Sequence, residues 1–398
     1  MQRPKILSQP LTLPCGAQLK NRLIKSAMSD SLGDGAGNPT QPQMRLYERW
    51  AQGGAALSLI GEVQVTRHFP EKPGNLVLTP KANADAEAMR ALAARGAQDG
   101  THVWPQLGHA GALSHAPIST PKGPSPLDVG GLVCDGLTLQ EIAGLPGQYA
   151  RAARLAQEFG FGGVQIHAGH GFLLSQFLSP LFNHRTDAYG GPIAHRVRIL
   201  SEIIEAVRRA VGPSFAIGVK INATDKLDGG LTPQDALEVV RHLDAARVDL
   251  IDISGGTYFP GAPSSSDGTA ASGPYFLDFA RRAKTVTTVP IMLTGGVRTR
   301  EEAIHALENG AADAIGLART MALTPDLANT WLSEAGGDPV FPVFDAPPPG
   351  GITAWYSMRL TALGEDREEA FTDTLEEALH AYDARDTARC DIWKSRFG

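Results

Sequence analysis

The stretch GVQIH at residues 163–167, followed by the small-residue turn Ala168-Gly169, decides the fold. Its apolar character predicts a buried strand of the kind found in parallel sheets. A helical pattern follows at about 195–211, with apolar side chains on one face and Gly212-Pro213 after its end. A second apolar strand is predicted at 215–221. A strand, a helix and a strand in this order indicate a parallel βαβ unit.

The same alternation continues on both sides of this unit. Thr232 and Pro233 are predicted to begin one further helix, and Thr299 with Glu302 has the spacing of a capping box at another. The predicted strands are 23–26, 55–60, 102–106, 163–167, 215–221, 249–254, 291–294 and 314–318. Eight strands separated by helices or long connections predict an α/β fold, a closed (β/α)8 TIM barrel. No GxGxxG motif follows a strand, which argues against a dinucleotide-binding doubly wound sheet.

Composition and charge exclude several classes of protein. The 398 residues include 36 Lys and Arg against 42 Asp and Glu, a net charge of −6 without a basic run, which does not favour nucleic-acid or anionic-membrane binding. No apolar run approaches ~18 residues, and the N-terminus lacks an apolar signal core. The three cysteines are far apart and fit no zinc or redox spacing. We predict a reduced, cytoplasmic protein without a nucleic-acid or membrane partner.

The chain is longer than the barrel requires, because a barrel of this kind takes about 250 residues. The surplus is assigned to an N-terminal cap at about 1–20, to long connections around 66–100 and 110–145, and to the tail. The 110–145 segment, rich in Gly, Pro and Ser, is predicted to be a long loop. We predict one domain over 1–335, with 336–398 a C-terminal helical extension packed on the barrel rather than an independent domain.

The tail begins with a proline-rich linker at 347–351 and contains an amphipathic segment at about 370–395. Trp355 and Tyr356 lie between the two. One interpretation is that they pack the tail onto the barrel wall. The other is that they cap a pocket or form a dimer contact, where aromatic residues are enriched.

Polar or glycine residues follow each apolar strand, at the end of the barrel where active sites of this fold lie. Lys220 has apolar neighbours on both sides, so it is predicted to be a buried cation that needs an anionic partner such as phosphate or a reduced flavin ring. Gly295-Gly296 and Arg319 end the last two strands, where barrels often bind phosphate. The alternative is that the glycines only turn the chain and Arg319 pairs with a helix carboxylate.

His167 and His170 have HxxH spacing at one strand-to-loop corner. They could bind a metal, with His109 as the candidate third ligand, although no HExxH-type context supports this and we predict no metal. They could instead donate hydrogen bonds to a carbonyl oxygen, or be packed core histidines. Gln106 ends a strand with a carboxamide that suits a planar heterocycle, or makes an ordinary loop hydrogen bond.

Together these motifs resemble one family, the old yellow enzyme (NADH:flavin oxidoreductase) family of FMN-containing barrels. The segment GFGGVQIHAGHGFLLSQFLSPLFNHRTDAYGGPIAHRVRILSEIIEAVRRAVG at 160–212 is the longest match. The supporting stretches are LKNRLIKSAMSD (19–30), YERWAQGGAALSLIGEVQV (47–65), WPQLGHAG (104–111), IDISGGTY (251–258), MLTGGVRTREEA (292–303) and ADAIGLAR (312–319). The resemblance covers about 10–335 and implies a single flavin site.

The resemblance implies FMN as cofactor, NADH or NADPH as reductant and a small-molecule substrate. Ala27, Met28 and Ser29 look like the segment under the flavin ring, with the Ser29 hydroxyl directed towards the C4 carbonyl. Gly61 resembles a backbone contact to the ring. Gln106 resembles the carboxamide that binds the pyrimidine edge.

The resemblance also assigns the remaining polar corners. Lys220 stands beside N1 and C2=O of the flavin, where negative charge accumulates on reduction. His167 and His170 resemble the pair that binds the carbonyl oxygen of the substrate, so that hydride from flavin N5 reaches the β-carbon. The residues that look like the phosphate cradle are Gly295, Gly296, Ala318 and Arg319.

Four positions depart from the family pattern. Phe172 stands where a tyrosine usually donates the proton to the α-carbon, and the loss of a general acid typically costs about 10²–10⁴ in rate. Water, or another hydroxyl such as that of Tyr258, would have to replace it. Lys220 stands where arginine is usual and Ala27 where proline is common. Ala112 removes a charge that the family has near the mouth of the site.

Three hypotheses about function follow. The favoured one is an FMN-dependent oxidoreductase that takes hydride from NAD(P)H and transfers it to an electron-poor alkene such as an enone. The second, motivated by Phe172, is an isomerase, or an oxidase or quinone reductase, on the same scaffold. The third is a flavin-binding protein with decayed catalysis. A homo-oligomer is compatible with each.

Overall fold

The computed structural model describes residues 6–80, 85–262, 273–333 and 336–398, and its centre is a closed sheet of eight parallel strands. Each strand pairs with the next along the chain, and the eighth pairs with the first. The strands are β1 (Leu23–Lys25), β2 (Leu57–Gln64), β3 (His102–Gly108), β4 (Gly163–Ala168), β5 (Ala216–Asn222), β6 (Leu250–Ser254), β7 (Ile291–Thr294) and β8 (Ala314–Leu317). The predicted (β/α)8 barrel is confirmed.

Helices alternate with these strands and cover the outside of the barrel. The α-helices are Gln41–Gln52, Ala86–Gly96, Leu139–Glu158, Leu173–Leu178, Ile193–Arg196, Arg198–Val211, Pro233–Ala245, Leu277–Ala283, Arg300–Glu308, Arg319–Leu323, Leu327–Ser333, Gly351–Gly364 and Leu375–Phe397. Both predicted caps are confirmed, because Thr232 accepts from the backbone N–H of Asp235 and Thr299 forms a complete capping box with Glu302. Within the described residues, no helix combines the length and apolar character needed to cross a bilayer.

The interior of the barrel divides into an apolar layer and a polar layer. The apolar cluster consists of Leu11, Leu13, Leu19, Ile24, Ala56, Leu57, Leu59, Trp104, Ala216, Leu250, Met292 and Ala314. Its first three leucines come from the N-terminal hairpin, strands Leu11–Thr12 and Gln18–Leu19, which closes that end of the barrel. Buried polar side chains such as Gln106, Lys220 and Asp252 lie further along their strands. The carboxyl end is therefore the end that can receive a polar ligand.

The predicted long loop at 110–145 was wrong. This segment contains a small three-stranded sheet and the first turns of the helix Leu139–Glu158. Its strands are Lys122–Gly123, Leu127–Val129 and Leu132–Gly136. Gly130-Gly131, with φ of 56° and 85°, makes the tight turn between the last two strands, so the glycines that suggested a loop form a hairpin instead.

The tail forms two helices, Gly351–Gly364 and Leu375–Phe397, and the first of them was not predicted. Ion pairs join it to the barrel, where Arg45 Nε and Arg49 Nη1 lie 2.9 and 3.2 Å from the carboxylate of Asp366. At the far end, Trp393 and Phe397 pack in one buried cluster with Val77. These contacts support treating 336–398 as an extension of the barrel, although the proposed boundary adjoins residues 334–335, which lie outside the described residues.

We expect Thr374→Ala to lower the free energy of unfolding by about 1 kcal/mol. Thr374 begins the last helix, where its side chain accepts from the Glu377 N–H and the Glu377 carboxylate accepts from the Thr374 N–H. Chemical denaturation monitored by circular dichroism measures the change. Thr372→Ala, at an exposed position outside the cap, is the matched control. An equal loss in both variants would contradict the role of the cap.

Candidate active site

A cavity of about 870 Å³ opens at the carboxyl ends of the barrel strands. It lies within the range of ~300–1,000 Å³ typical of ligand and cofactor sites. The predicted site residues that line it are Ala27, Met28, Ser29, Gln106, His167, His170, Phe172, Lys220, Tyr258, Gly295, Gly296, Ala318 and Arg319. Residues scattered over most of the barrel sequence therefore meet in one place.

Gly61 is the predicted site residue that does not line the cavity. It lies directly behind the Ala27–Ser29 segment, bridged to Ser29 as in a parallel sheet. A side chain at this position would meet the Ala27 Cβ at 2.9 Å and the Gln106 Oε1 at 3.2 Å. Glycine is thus required for the close approach of β2 to the Ala27–Ser29 segment.

The Ser29 hydroxyl donates to Glu71 Oε2 at 2.9 Å, an interaction that the sequence did not predict. Burial raises the pKa of the Glu71 carboxyl to about 7. Asn75 Nδ2 donates to the same carboxylate oxygen at 3.2 Å. The hydroxyl assigned to the flavin is therefore already oriented by a carboxyl group that also lines the cavity.

Lys220 is buried at the base of the cavity, with 1% of the residue exposed. Its Nζ lies 3.4 Å from Asp252 Oδ2. Asp252 also accepts from Thr294 Oγ1 at 2.6 Å and from Gln165 Nε2 at 3.1 Å. The carboxylate is well satisfied, whereas the ammonium has one long ionic contact and a 3.4 Å hydrogen bond to Ser26. An electronegative group in the cavity would complete its environment.

The Gln106 carboxamide is held in place by Gln165 on the neighbouring strand β4, because Gln106 Nε2 donates to Gln165 Oε1 at 2.6 Å. Gln165 in turn donates to Asp252, so the amide and the ion pair form one network. The network leaves Gln106 in a defined orientation at the cavity wall. This is the arrangement that a planar heterocycle with alternating donors and acceptors requires.

The two histidines form a hydrogen-bonded row with Glu62 and Ser254, which the sequence places at strand ends but whose contacts with the histidines it did not predict. His167 Nδ1 contacts the carboxyl of Glu62, His167 Nε2 lies 3.2 Å from His170 Nδ1, and His170 Nε2 lies 2.9 Å from Ser254 Oγ. Burial lowers the pKa of His167 to about 3 and lowers the pKa of His170 well below its usual value. Burial also raises the pKa of Glu62 to about 8. The row is therefore composed of neutral groups near pH 7.

His109, the candidate third metal ligand, does not join this row. Its ring stacks on Phe69 with a centroid separation of 4.4 Å, and its Nδ1 accepts from the Gly111 N–H. Within the described ranges, no three histidine, cysteine or acidic side chains converge closely enough to hold a metal ion.

Phe172 is buried in the cavity wall, with its ring centroid 5.1 Å from that of His167. Tyr258 packs beside it, 5.8 Å from the Phe172 ring and 5.9 Å from the His170 ring. The Tyr258 side chain is largely exposed. Tyr258 thus lies beside the histidine row at the exposed rim of the cavity, whereas Phe172 is buried in its wall.

The corner formed by the last two strands contains two glycines and two arginines. Gly295 and Gly296 have φ of 110° and 84°, and a side chain on Gly296 would meet the Gly273 carbonyl oxygen at 2.3 Å. Arg298 and Arg319 both line the cavity here. This combination suits a phosphate group, which accepts from backbone N–H groups and guanidinium groups together.

The C-terminal extension supplies part of the cavity wall. Tyr356 lines the cavity, and the Arg319 guanidinium lies 5.7 Å from its ring centroid. Trp355 instead packs the tail, with its Nε1 donating to Asp373 O and its ring 5.3 Å from Phe371. Tyr356 therefore fits the pocket interpretation, whereas these Trp355 contacts join parts of the tail to each other rather than to the barrel wall. The last helix adds Tyr382 and Asp383 to the wall, for which the sequence offered no signal.

Comparison with known proteins agrees with the family suggested by the motifs. Residues 7–334 match the profile of the NADH:flavin oxidoreductase / NADH oxidase family. The chain is 37% identical over 358 residues to the NADH-dependent flavin oxidoreductase iliE of Hypocrea jecorina, covering 81% of this chain and 88% of that protein. Among solved structures, an old yellow enzyme homologue from Zymomonas mobilis superposes with a TM-score of 0.73 at 25% identity, covering 84% of this chain and 94% of that one.

A second solved structure shares the fold at lower identity. A 2-naphthoyl-CoA reductase in complex with 2-naphthoyl-CoA superposes with a TM-score of 0.77 at 24% identity, over 83% of this chain. The present chain spans 52% of that longer protein. The family profile, which covers most of the sequence, confirms the resemblance seen in the motifs. The chain belongs to the NADH:flavin oxidoreductase / NADH oxidase family.

Proposed function

We propose that this flavin oxidoreductase reduces an electron-poor alkene of the enone type, with FMN as cofactor and NADH or NADPH as reductant. The observation that carries the proposal is the buried Lys220 ammonium at the base of a cavity that also presents Gln106 and the two histidines. Family membership establishes the flavin-dependent oxidoreductase class. The substrate class rests on the chemistry of the cavity.

The residues of the cavity fit FMN. Gln106 and Lys220 would hold the edge of the ring that has both donors and acceptors, and Ala27 to Ser29 would lie under it. Gly296, where the backbone leaves no space for a side chain, would bind the phosphate with Arg319. When bound, FMN supplies a hydride acceptor for the nicotinamide and a hydride donor for the alkene.

The protein's own groups perform three tasks in this reaction. Lys220 holds a fixed positive charge where electron density increases, at a site largely shielded from water. His170 presents Nε2 at the cavity side, where a substrate carbonyl can replace the Ser254 hydroxyl as hydrogen-bond partner. Donation to that oxygen withdraws electron density from the conjugated alkene and makes its β-carbon electrophilic.

Phe172 favours one alternative within the same class. Because a phenyl ring cannot donate a proton, the site could return the hydride to an isomerised substrate or pass electrons to oxygen or a quinone. A decayed, purely flavin-binding role has less support, since Gln106, Lys220 and both histidines keep polar groups at the cavity. Cytoplasmic location, a homo-oligomer and the lack of nucleic-acid partners remain proposals from the sequence.

We expect purified protein to bind FMN, to bleach on anaerobic addition of NADH or NADPH, and to recover its visible flavin absorbance when 2-cyclohexenone is added. Stopped-flow absorbance measures both half-reactions separately. Protein that stays colourless in excess FMN would contradict the cofactor assignment. Recovery with oxygen or a quinone, but not with any cyclic enone, would instead select the alternative function.

A further inference from the structure

Four side chains that line the cavity form a continuous hydrogen-bonded row: Glu62, His167, His170 and Ser254. The second carboxyl oxygen of Glu62, Oε2, has its own hydrogen-bond donor, because Gln64 Nε2 donates to it at 3.3 Å. The oxygen that faces His167 is therefore Oε1, the one free to carry a proton. The row begins on β2, crosses to the end of β4, and ends on β6.

The row satisfies its hydrogen bonds in two opposite directions. With Glu62 protonated, each group donates towards the cavity, and the final donor is His170 Nε2–H. With Glu62 ionised, each group donates towards Glu62, and Ser254 donates to His170. Both imidazoles are neutral in either arrangement, since each ring nitrogen either carries the proton or accepts one. Switching from the first arrangement to the second moves one proton from Glu62 to the cavity.

We propose that Glu62 is a proton reservoir and that His167 and His170 relay its proton to the oxygen of the reduced substrate, in place of the tyrosine that Phe172 replaces. The proposal rests on the proposed enone reduction. It explains how a cavity walled by Phe172 can complete a net reduction. It also assigns a function to a buried carboxyl group that has no role in the proposed contacts to cofactor and substrate.

The step balances as follows. Hydride addition to the β-carbon leaves an enolate whose oxygen lies at His170 Nε2. The Nε2–H bond breaks and an O–H bond forms, giving an enol. His170 Nδ1 takes the Nε2 proton of His167, and His167 Nδ1 takes the proton of Glu62, which becomes a carboxylate. The enol tautomerises in water to the saturated carbonyl compound. The row resets when a solvent proton binds His170 Nε2, the His170 Nδ1 proton passes to His167 Nε2, and the His167 Nδ1 proton returns to Glu62.

Titratable groups on several strands and loops influence the protonation of the Glu62 carboxyl group. Lys220 favours the carboxylate, whereas burial favours the carboxylic acid and raises its pKa to about 8. The other titratable groups that interact with it are Glu71, Tyr149, Tyr258 and His167. Because only the protonated form can donate, the oxidative half-reaction should be constant below about pH 8 and decrease above it.

Glu62→Gln tests the proposal, since glutamine keeps the size and the hydrogen bond of the side chain but has no acidic proton. We expect re-oxidation of the reduced enzyme by 2-cyclohexenone to slow at least about tenfold and its decrease above about pH 8 to disappear. Glu71→Gln replaces a second carboxyl of the cavity that lies outside the row, so its alkaline decrease should remain whatever its absolute rate. The decisive rescue is Glu62→Gln with Phe172→Tyr, because tyrosine supplies an independent proton and should restore the rate.

Three outcomes would overturn the proposal while leaving the proposed function intact. These are an undiminished rate in Glu62→Gln, an alkaline decrease that persists without Glu62, and a slow variant that Phe172→Tyr does not rescue. Failure of the proposed function looks different, because the wild-type reduced enzyme would then not react with the enone at all.

Discussion

Lys220→Met is expected to slow flavin reduction by NADH by about 10²–10³-fold. The substitution removes the one buried cation at the base of the described part of the cavity, where the proposed flavin ring would gain negative charge on reduction. Methionine keeps the length and apolar stem of lysine, so the lost quantity is the charge. Anaerobic stopped-flow absorbance gives the rate, and a reducing-dye equilibration gives the flavin potential, which we expect to become more negative.

Stability must be separated from charge in this experiment, because Asp252 would be left buried without its cation. Breaking a buried ion pair costs about 3–5 kcal/mol. The double variant Lys220→Met/Asp252→Asn removes both charges. The asparagine oxygen can still accept from Gln165 Nε2, while its NH2 group can donate to Thr294 Oγ1. Lys220→Arg keeps the charge and should retain most of the rate. A neutral double variant that folds, binds FMN and is reduced at the wild-type rate would contradict the electrostatic role.

The sequence predicted the parts of the site that follow from one rule, that the strands of a parallel barrel end at the same face. Gln106, His167 and Lys220 are each the polar residue near the end of an apolar strand, and each lines the cavity. The same rule brought Gly295-Gly296 and Arg319 to one corner. The family resemblance then supplied the roles, which the residues alone left open among metal, carbonyl and core interpretations.

The parts that were missed depend on distances across the barrel rather than on order along the chain. Glu62 reaches His167 although β3 lies between their strands, and no local spacing reports such a contact. Tyr356 and Tyr382 reach the cavity because two tail helices fold back over it. The hairpin at Gly130-Gly131 was misread for a different reason, since its glycines are equally typical of turns and of loops.

His170→Asn is expected to reduce kcat for enone reduction by about 10²–10³-fold while changing KM by less than about threefold. Asparagine can still donate to the carbonyl oxygen, but an amide does not exchange donor and acceptor roles as imidazole does. It also suits the backbone, because His170 has a φ of 59°, in the left-handed region that asparagine tolerates best among non-glycine residues. Steady-state kinetics with 2-cyclohexenone separates the two constants.

His170→Ala provides the contrast, because it removes the carbonyl donor as well as the proton path. We expect it to raise KM by at least about tenfold in addition to lowering kcat. The His170 N–H donates to Asn222 Oδ1 at 2.9 Å in either variant, so the loop retains its anchor. If the asparagine variant kept the wild-type kcat, His170 would not transfer the proton. If the alanine variant kept the wild-type KM, the carbonyl would bind elsewhere, and Tyr258, beside the same row, would be the next residue to test.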